Sequence, residues 1–311
     1  MNQIETSCYT KYNMKLRLAN NIVFFDKIPS GHAFDKLQVS LGEMSGKCLN
    51  HKIICRTDSL PCYILPEKSD GLYCLNIFAQ MKGGYQYWSY ASKFDIVIKS
   101  AKRVWSLVES PVYSDNLKIL NTLKTNRLYL TKCLAPSSQC QSDHPFIIKL
   151  ANKIIQQSED KYLNSLMIHD WVASNLFYDY DGLSKGNITW TGTSALNVMM
   201  SRKSICEGYS NLSVALLRAI GIPATRLPCY TLDKMSNDKW WTAKEIIRPS
   251  NHIITAAYVN GRWILMDVTW DSDNKISNGK ALMTIGHGRY HKYFDVALPF
   301  LSNTHHLGKT E

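Results

Sequence analysis

Three patterns in the sequence predict an α+β chain. Before about residue 115, short apolar runs alternate with polar residues and are separated by turn signals. After residue 142 the apolar spacing changes to the three-to-four-residue period of helices, with capping residues at their starts. Near residue 260 an Asn-Gly pair separates two apolar runs, the strongest short-range signal for a β-hairpin. The expected organisation is an N-terminal β-sandwich, Ig-like, over residues 12–115, then a connector over 116–141 and an α+β domain over 142–311. At 311 residues the chain exceeds one typical core, so two domains are the default.

The elements follow in order. Leu16 to Phe25 reads as a first strand. Leu37, Val39 and Leu41 alternate with Gln38 and Ser40, the period of a half-buried strand. Leu72 to Phe78 is apolar and aromatic, Gly83-Gly84 marks a turn, and Tyr85, Tyr87 and Ser89 fall on the next strand. Phe94 to Ile98 and Val104 to Leu107 continue the pattern. Several short strands between turn signals indicate a sandwich. In the connector, Asn116 to Leu130 carries some helical period, and Ala135 to Ser138 breaks it.

Ser142-Asp143-His144-Pro145 opens a helix whose apolar stripe is Ile147, Ile148, Ala151 and Ile155. A second helix spans about Asp160 to Phe177, with Leu163, Leu166, Met167 and Trp171 expected inward and His169 half-exposed or hydrogen-bonded. A short helix is expected near Ser194 to Met200. A longer one runs from Cys206 to about Ile220, with Leu212, Ala215, Leu216 and Ala219 inward, Gly221 past its end and Pro223 blocking continuation. Residues 230 to 250 are polar and irregular around Trp240-Trp241. The hairpin strands are Ile253 to Val259 and Arg262 to Val268, with Trp263 and Trp270 expected in the core.

Composition narrows the function classes. Hydrophobic residues make up 45% and charged residues 20%, as in ordinary globular proteins. No stretch approaches the length of a membrane span, and no apolar leader opens the chain, so the cytoplasm is the default compartment and export stays open. The net charge of +11 is spread along the chain without a basic block or nucleic-acid module, so a solvated basic surface is expected and nucleic-acid binding is not. The nine cysteines show no C-x-x-C pair or Cys/His ligand spacing, which argues against zinc. Histidines 287, 291, 305 and 306 have no such partner either. The early cysteines read as buried small hydrophobes.

Cys206 is the most informative residue. Ser204 and Glu207 have the S-x-x-E spacing of a capping box, which puts Cys206 in the first helical turn. There the unpaired N–H groups and the helix dipole favour a thiolate, the nucleophilic form. The hairpin adds partners. A two-residue Asn260-Gly261 turn pairs Val259 with Arg262, Tyr258 with Trp263, Ala256 with Leu265, Ile254 with Asp267 and His252 with Thr269. His252 and Asp267 then share a face as diagonal neighbours. Asp267 can fix the His252 tautomer and leave the other ring nitrogen for a nucleophile. A slip of one residue would destroy the arrangement.

The stretch from Ser201 through Cys206-Glu-Gly-Tyr to Gly221-Ile-Pro-Ala224 resembles the nucleophile segment of the transglutaminase-like superfamily. Tyr258-Val-Asn-Gly-Arg-Trp-Ile-Leu-Met-Asp267-Val-Thr-Trp-Asp271, with His252 upstream, resembles its His/Asp hairpin. Ile168-His-Asp-Trp-Val-Ala-Ser-Asn175 resembles the helix preceding the site in bacterial members, and Ser142-Asp-His-Pro145 and Tyr293-Phe-Asp295 also fit. The resemblance covers about residues 140 to 300. It implies a papain-like, transglutaminase-like α+β fold with Cys206 as nucleophile, His252 as general base and acid, and Asp267 as orienting carboxylate. It implies no metal or cofactor. Two departures stand out: His252-Ile253-Ile254-Thr255 replaces the usual H-x-W-N, and Ser204 occupies a position often held by Gly.

The expected chemistry is attack of Cys206 on a peptide or carboxamide carbonyl. The resulting thioester is resolved by water, as in a peptidase or deamidase, or by an amine, as in a transglutaminase. The expected partner is a peptide or protein substrate, cell-wall peptide among the candidates. The alternative is a catalytically inactive binding or structural protein on the same scaffold.

Overall fold

The structure is a computed structural model, which describes residues 2–6, 14–27, 34–43, 47–55, 61–81, 88–108, 110–231, 250–272, 275–277, 280–282, 293–302 and 304–308. The Gly83-Gly84 turn, Tyr85, Tyr87, Trp240, Trp241, His287 and His291 lie outside these residues. Among the described residues the chain forms two compact units, one drawn from 1–114 and 295–305, the other from 115–231, 247–294 and 306–311.

The first unit holds nine strands in two antiparallel sheets. They are β1 (Asn2–Thr6), β2 (Met14–Ala19), β3 (Ile22–Lys27), β4 (Phe34–Glu43), β5 (Cys48–Cys55), β6 (Cys62–Ile64), β7 (Gly71–Met81), β8 (Trp88–Ala101) and β9 (Val104–Val108). One sheet runs β1-β2-β3-β6 and the other β5-β4-β7-β8-β9. Leu37, Val39 and Leu41 on β4 are buried, as their alternation predicts. The run from Leu16 to Phe25 is a hairpin and not one strand. Asn20 and Asn21 turn the chain with φ of 49° and 61°, a left-handed conformation that asparagine tolerates at low cost. Asn21 also joins the two sheets, because its Oδ1 accepts the Trp105 N–H at 3.0 Å.

The second unit begins with two short helices, α1 (Tyr113–Leu120) and α2 (Arg127–Lys132), in the stretch expected to be a connector. Next come α3 (Pro145–Ile155) and α4 (Lys161–Asn175). The His144 ring caps α3 by accepting the Phe146 N–H, and Asp160 caps α4 through the Tyr162 and Leu163 N–H groups. The inward face of α4 differs from the expected one. Tyr162, Ser165, Ile168, His169, Val172 and Ala173 are buried, whereas Leu163 is exposed. The face is rotated because His169 turns inward onto a buried carboxylate, carrying Ile168 and Val172 with it. On α3, Ile147, Ala151 and Ile154 form the buried stripe and Ile148 is exposed.

A short strand β10 (Phe177–Tyr178), helices α5 (Tyr180–Ser184) and α6 (Ala195–Ser201) and a second short strand β11 (Lys203–Ser204) lead into α7 (Cys206–Ala219). Every residue of α7 from Gly208 to Leu217 is buried. It is the central helix of the unit and packs on α3, α4, α6 and the following strands. Gly221, at φ 75°, turns the chain beyond it. Strands β12 (Ala224–Thr231), β13 (His252–Val259) and β14 (Arg262–Met266) then form an antiparallel sheet, followed by the one-turn helix α8 (Val268–Asp271).

The hairpin register is the one counted from the sequence: Val259 pairs with Arg262, Tyr258 with Trp263 and Ala256 with Leu265. Asn260 and Gly261 adopt φ of 50° and 83°, as the turn requires. The ladder stops at Thr255–Met266, so His252 does not face Thr269, which lies on α8. Trp263 and Trp270 are half-buried and not core residues. The Trp263 indole N–H reaches the Lys124 carbonyl at 3.2 Å and so needs an edge position.

Gly208 permits the close approach of α7 to what precedes it. A Cβ there would lie 2.6 Å from Ser204 Cβ and 2.7 Å from Val198 Cγ2. Gly208→Ala is expected to destabilise the protein by about 1–3 kcal/mol, the usual cost of overpacking a tight core. Urea denaturation of the variant against the parent measures the change.

Candidate active site

Cys206 is the first helical residue of α7, and Ile205 is the N-cap. The capping box read from Ser204 and Glu207 does not form, and no side chain caps this helix. The reason is local. Ser204 is paired with Tyr178 in the parallel β10–β11 bridge, which keeps the chain extended one residue further. Glu207 turns to Arg226, 3.6 Å away, and not back to the N-cap. Cys206 nevertheless sits in the first turn, where N–H groups lack intrahelical acceptors and the positive end of the helix dipole lies. It is buried, with 8% of its surface exposed.

The helix is fixed to the sheet two residues beyond the hairpin's histidine. Ser210 Oγ lies 3.0 Å from Thr255 Oγ1 and 3.2 Å from the Ile254 carbonyl. The Ile253-Ile254-Thr255 segment is therefore mostly packing surface for α7, with Ile254 and Thr255 buried. Upstream, Asn251 bonds both backbone groups of Thr231, and Ser250 Oγ lies 2.9 Å from the His252 carbonyl. The start of β13 is held on both sides of the site.

His252 and Asp267 meet, although the ladder ends before the Ile254–Asp267 pair that the count requires. His252 Nε2 lies 2.8 Å from Asp267 Oδ2, and both residues are buried. Asp267 Oδ1 accepts the Trp270 N–H at 3.0 Å and so caps α8. The two roles that an aspartate could take at this position are both filled, one by each oxygen. Nε2 is thus the ring nitrogen that faces Asp267, and Cys206 lies close enough to the ring to help raise its pKa. Burial alone would lower the His252 pKa. The Asp267 charge and the bonds to Asp267 and Cys206 outweigh it and raise the pKa to about 10. The indole of Trp270 lies 6.1 Å from the imidazole, centroid to centroid, and shields one side of the pair.

Other residues around the site carry no motif of their own. Tyr178, paired with Ser204, has its phenol pushed up by burial first, then by the charges of Cys206, Tyr180, Tyr209 and Asp267. His169 is fully buried between Asp170, at 3.0 Å, and Asp271, at 3.1 Å. Burial lowers its pKa, but the two carboxylates raise it to about 9. It is thus wholly enclosed and bonded, not half-exposed. The signal that could have located it is the spacing of two aspartates four residues apart, Asp267 and Asp271, at the end of a hairpin.

The other thiols are set for different roles. Cys133, Cys140 and Cys229 are buried, and desolvation raises the pKa of each. Cys229 pairs with His252 across the β12–β13 ladder. Cys74 is buried, as a small hydrophobe should be, but Cys48 is exposed. His306 lies 3.8 Å from Asp115, and His305 Nδ1 lies 2.8 Å from Thr304 Oγ1. A cavity of about 550 Å³ opens beside Ser204, with the Lys203–Asp179 ion pair, at 2.8 Å, in its wall.

Two buried histidines with raised pKa values give stability a definite pH dependence. A group whose pKa is higher in the folded state stabilises the fold fully below its unfolded pKa, near 6.5, and stops doing so above its folded pKa. Unfolding free energy is therefore expected to fall as pH rises from about 6.5 through the folded values of about 9 for His169 and about 10 for His252. Urea denaturation at pH 6.5, 8 and 10 measures this. In the Asp271→Asn variant the loss above pH 6.5 should be smaller, because His169 then starts nearer its unfolded pKa.

Several known proteins resemble parts of this chain. Kyphoscoliosis peptidase of Mus musculus is 22% identical over 124 residues, which is 40% of this chain and 18% of that protein. The Homo sapiens kyphoscoliosis peptidase matches equally, at 22% over 124 residues. The chain thus spans about a fifth of the length of these relatives. Among solved structures, a candidate cysteine protease from Cytophaga hutchinsonii is 22% identical with a TM-score of 0.36, covering 76% of this chain and 73% of that one. Red sea bream transglutaminase is 11% identical with a TM-score of 0.33, covering 86% and 53%. Residues 148–268, which include Cys206, His252 and Asp267, match the transglutaminase-like superfamily model.

Proposed function

We propose that the protein is a thiol-dependent acyl-transfer enzyme in which Cys206, His252 and Asp267 form the triad. The observation that carries the reading is the contact of 2.8 Å between His252 Nε2 and Asp267 Oδ2, with Cys206 near the same ring. The match of residues 148–268 to the transglutaminase-like superfamily model supports a reading of thiol-dependent catalysis.

The chemistry follows from the geometry. The Cys206 sulfur attacks the carbonyl carbon of a peptide or carboxamide, and the oxygen takes the negative charge. The Cys206 backbone N–H, at the mouth of α7, is the donor placed to bind that oxygen. His252 gives its proton to the departing nitrogen, which leaves as ammonia or an amine, and a thioester remains. Water or a second amine then attacks the thioester, His252 takes the proton back, and Cys206 is released. Asp267 holds the ring orientation and balances the imidazolium charge. The substrate is a peptide or protein.

Cys206→Ala is expected to abolish turnover, by more than about a thousandfold. Asp267→Asn should lower kcat by about 10³–10⁴-fold with the fold retained. An assay on glutamine peptides, with and without a primary amine, measures both variants and separates hydrolysis from transfer. Alkylation near neutral pH offers an independent check. Cys206 should react faster than Cys133, Cys140 and Cys229, and equal rates together with an active Cys206→Ala variant would sink the proposal.

A further inference from the structure

Asp267 can serve His252 only if the chain leaves β14 at the right angle. The last ladder pair is Thr255–Met266, so Asp267 is the first residue beyond the sheet. It is followed by a helix of four residues. A single turn has no stability of its own, because nucleating it fixes several dihedrals for one hydrogen bond. Within the turn, the Asp271 N–H to Asp267 carbonyl bond, at 3.2 Å, the Trp270 cap and the Ser272 hydroxyl on the Thr269 carbonyl are all local contacts. Something outside the turn must hold it.

The structure supplies two ties. Tyr293 binds both ends of the turn with its backbone: its carbonyl accepts the Asp267 N–H at 3.0 Å, and its own N–H donates to Asp271 Oδ2 at 2.9 Å. The same Asp271 oxygen lies 3.1 Å from His169 Nε2. His169 stands on α4, its other nitrogen lies 3.0 Å from Asp170, and its ring meets Phe294 edge-on at 5.2 Å. An imidazole can donate from both nitrogens only as the imidazolium. His169 is fully buried and touches neither Cys206 nor His252 in any described contact, so it has no reacting atom to act on.

The geometry points to a second His–Asp pair, His169 with Asp271, as the positioning device of the triad: it clamps the far end of α8 to α4 and so sets the Asp267 carboxylate against His252. This rests on the reading of Cys206, His252 and Asp267 given above. Asp271 lies one helical turn after Asp267, so a shift at its side chain is passed through four residues to the Asp267 backbone. His169 and Asp271 are positioning residues, not catalytic ones. Their loss should alter how His252 is held, and not how substrate binds.

The test uses the full chain with two substitutions, Asp271→Asn and His169→Gln, each followed by NMR titration of His252 and by steady-state kinetics. The expected result is a His252 midpoint lower by at least one pH unit. In kinetics, kcat should fall about tenfold or more with KM within about twofold, and the basic limb of the kcat profile should move to lower pH. Asp271→Glu should restore part of kcat, since the charge is kept. A folded variant whose His252 titration and kcat match the parent overturns the proposal. If a substitution prevents folding, titration of His169 in the parent decides. A ring still charged at pH 8 supports the clamp, and a ring neutral at pH 7 overturns it. The His252 titration needs no turnover. If the parent proves inactive on every substrate tried, the catalytic reading fails while the positioning claim is still judged by that midpoint.

Discussion

The arrangement of this domain depends on a single buried carboxylate with two obligations. Asp267 is fully buried, and its oxygens divide the work: one caps a helical turn through the Trp270 N–H, and the other holds His252. Burying a carboxylate is costly unless each oxygen finds a donor and the charge finds a partner. Both conditions are met only when the sheet has ended and the helix has begun at this residue. The carboxylate therefore fixes where β14 stops, where α8 starts and which nitrogen of His252 is available.

The other two residues of the proposed triad are delivered by different means. Cys206 is carried by the most deeply packed helix of the unit, and its position is set by Gly208 against Ser204 and Val198. His252 is carried by a strand whose first residues are tied down by Asn251 and Ser250. The bond between Ser210 and Thr255 then fixes helix to strand. Reacting groups on regular elements, each supported by neighbours that do not react, are held more narrowly than groups on loops. Here a helix start, a strand start and a strand end converge, and hydrogen bonds from other segments of the unit secure them.

Much of this could be read in the sequence. Asn260-Gly261 determines the hairpin register because both turn residues need positive φ, and the pairing of His252 with Asp267 follows by counting. The position of Cys206 in a first turn was also legible, although for a reason that proved wrong. The S-x-x-E spacing is present, but Ser204 is committed to the β10–β11 bridge, a tertiary pairing that no local pattern reveals. The Asn20-Asn21 hairpin was missed because the apolar run on both sides of it looked continuous. The inward face of α4 was misread for a related reason. Periodicity rewards leucine and methionine, whereas here a histidine takes the inward position because a carboxylate more than one hundred residues away awaits it. Charge pairs across such separations leave no signal in either segment alone.

That separation has a consequence for how the domain comes into being. His169 and Asp271 are 102 residues apart, and Tyr293 lies 22 residues beyond Asp271. Contacts between distant segments form after local ones, since loop closure must precede them. During synthesis Cys206 emerges from the ribosome well before the strand that carries His252, and before the backbone that holds Asp267. A growing chain thus exposes an isolated cysteine without the partners proposed for it. Timing is built into the topology: the thiol gains its partners only after nearly the whole domain has folded.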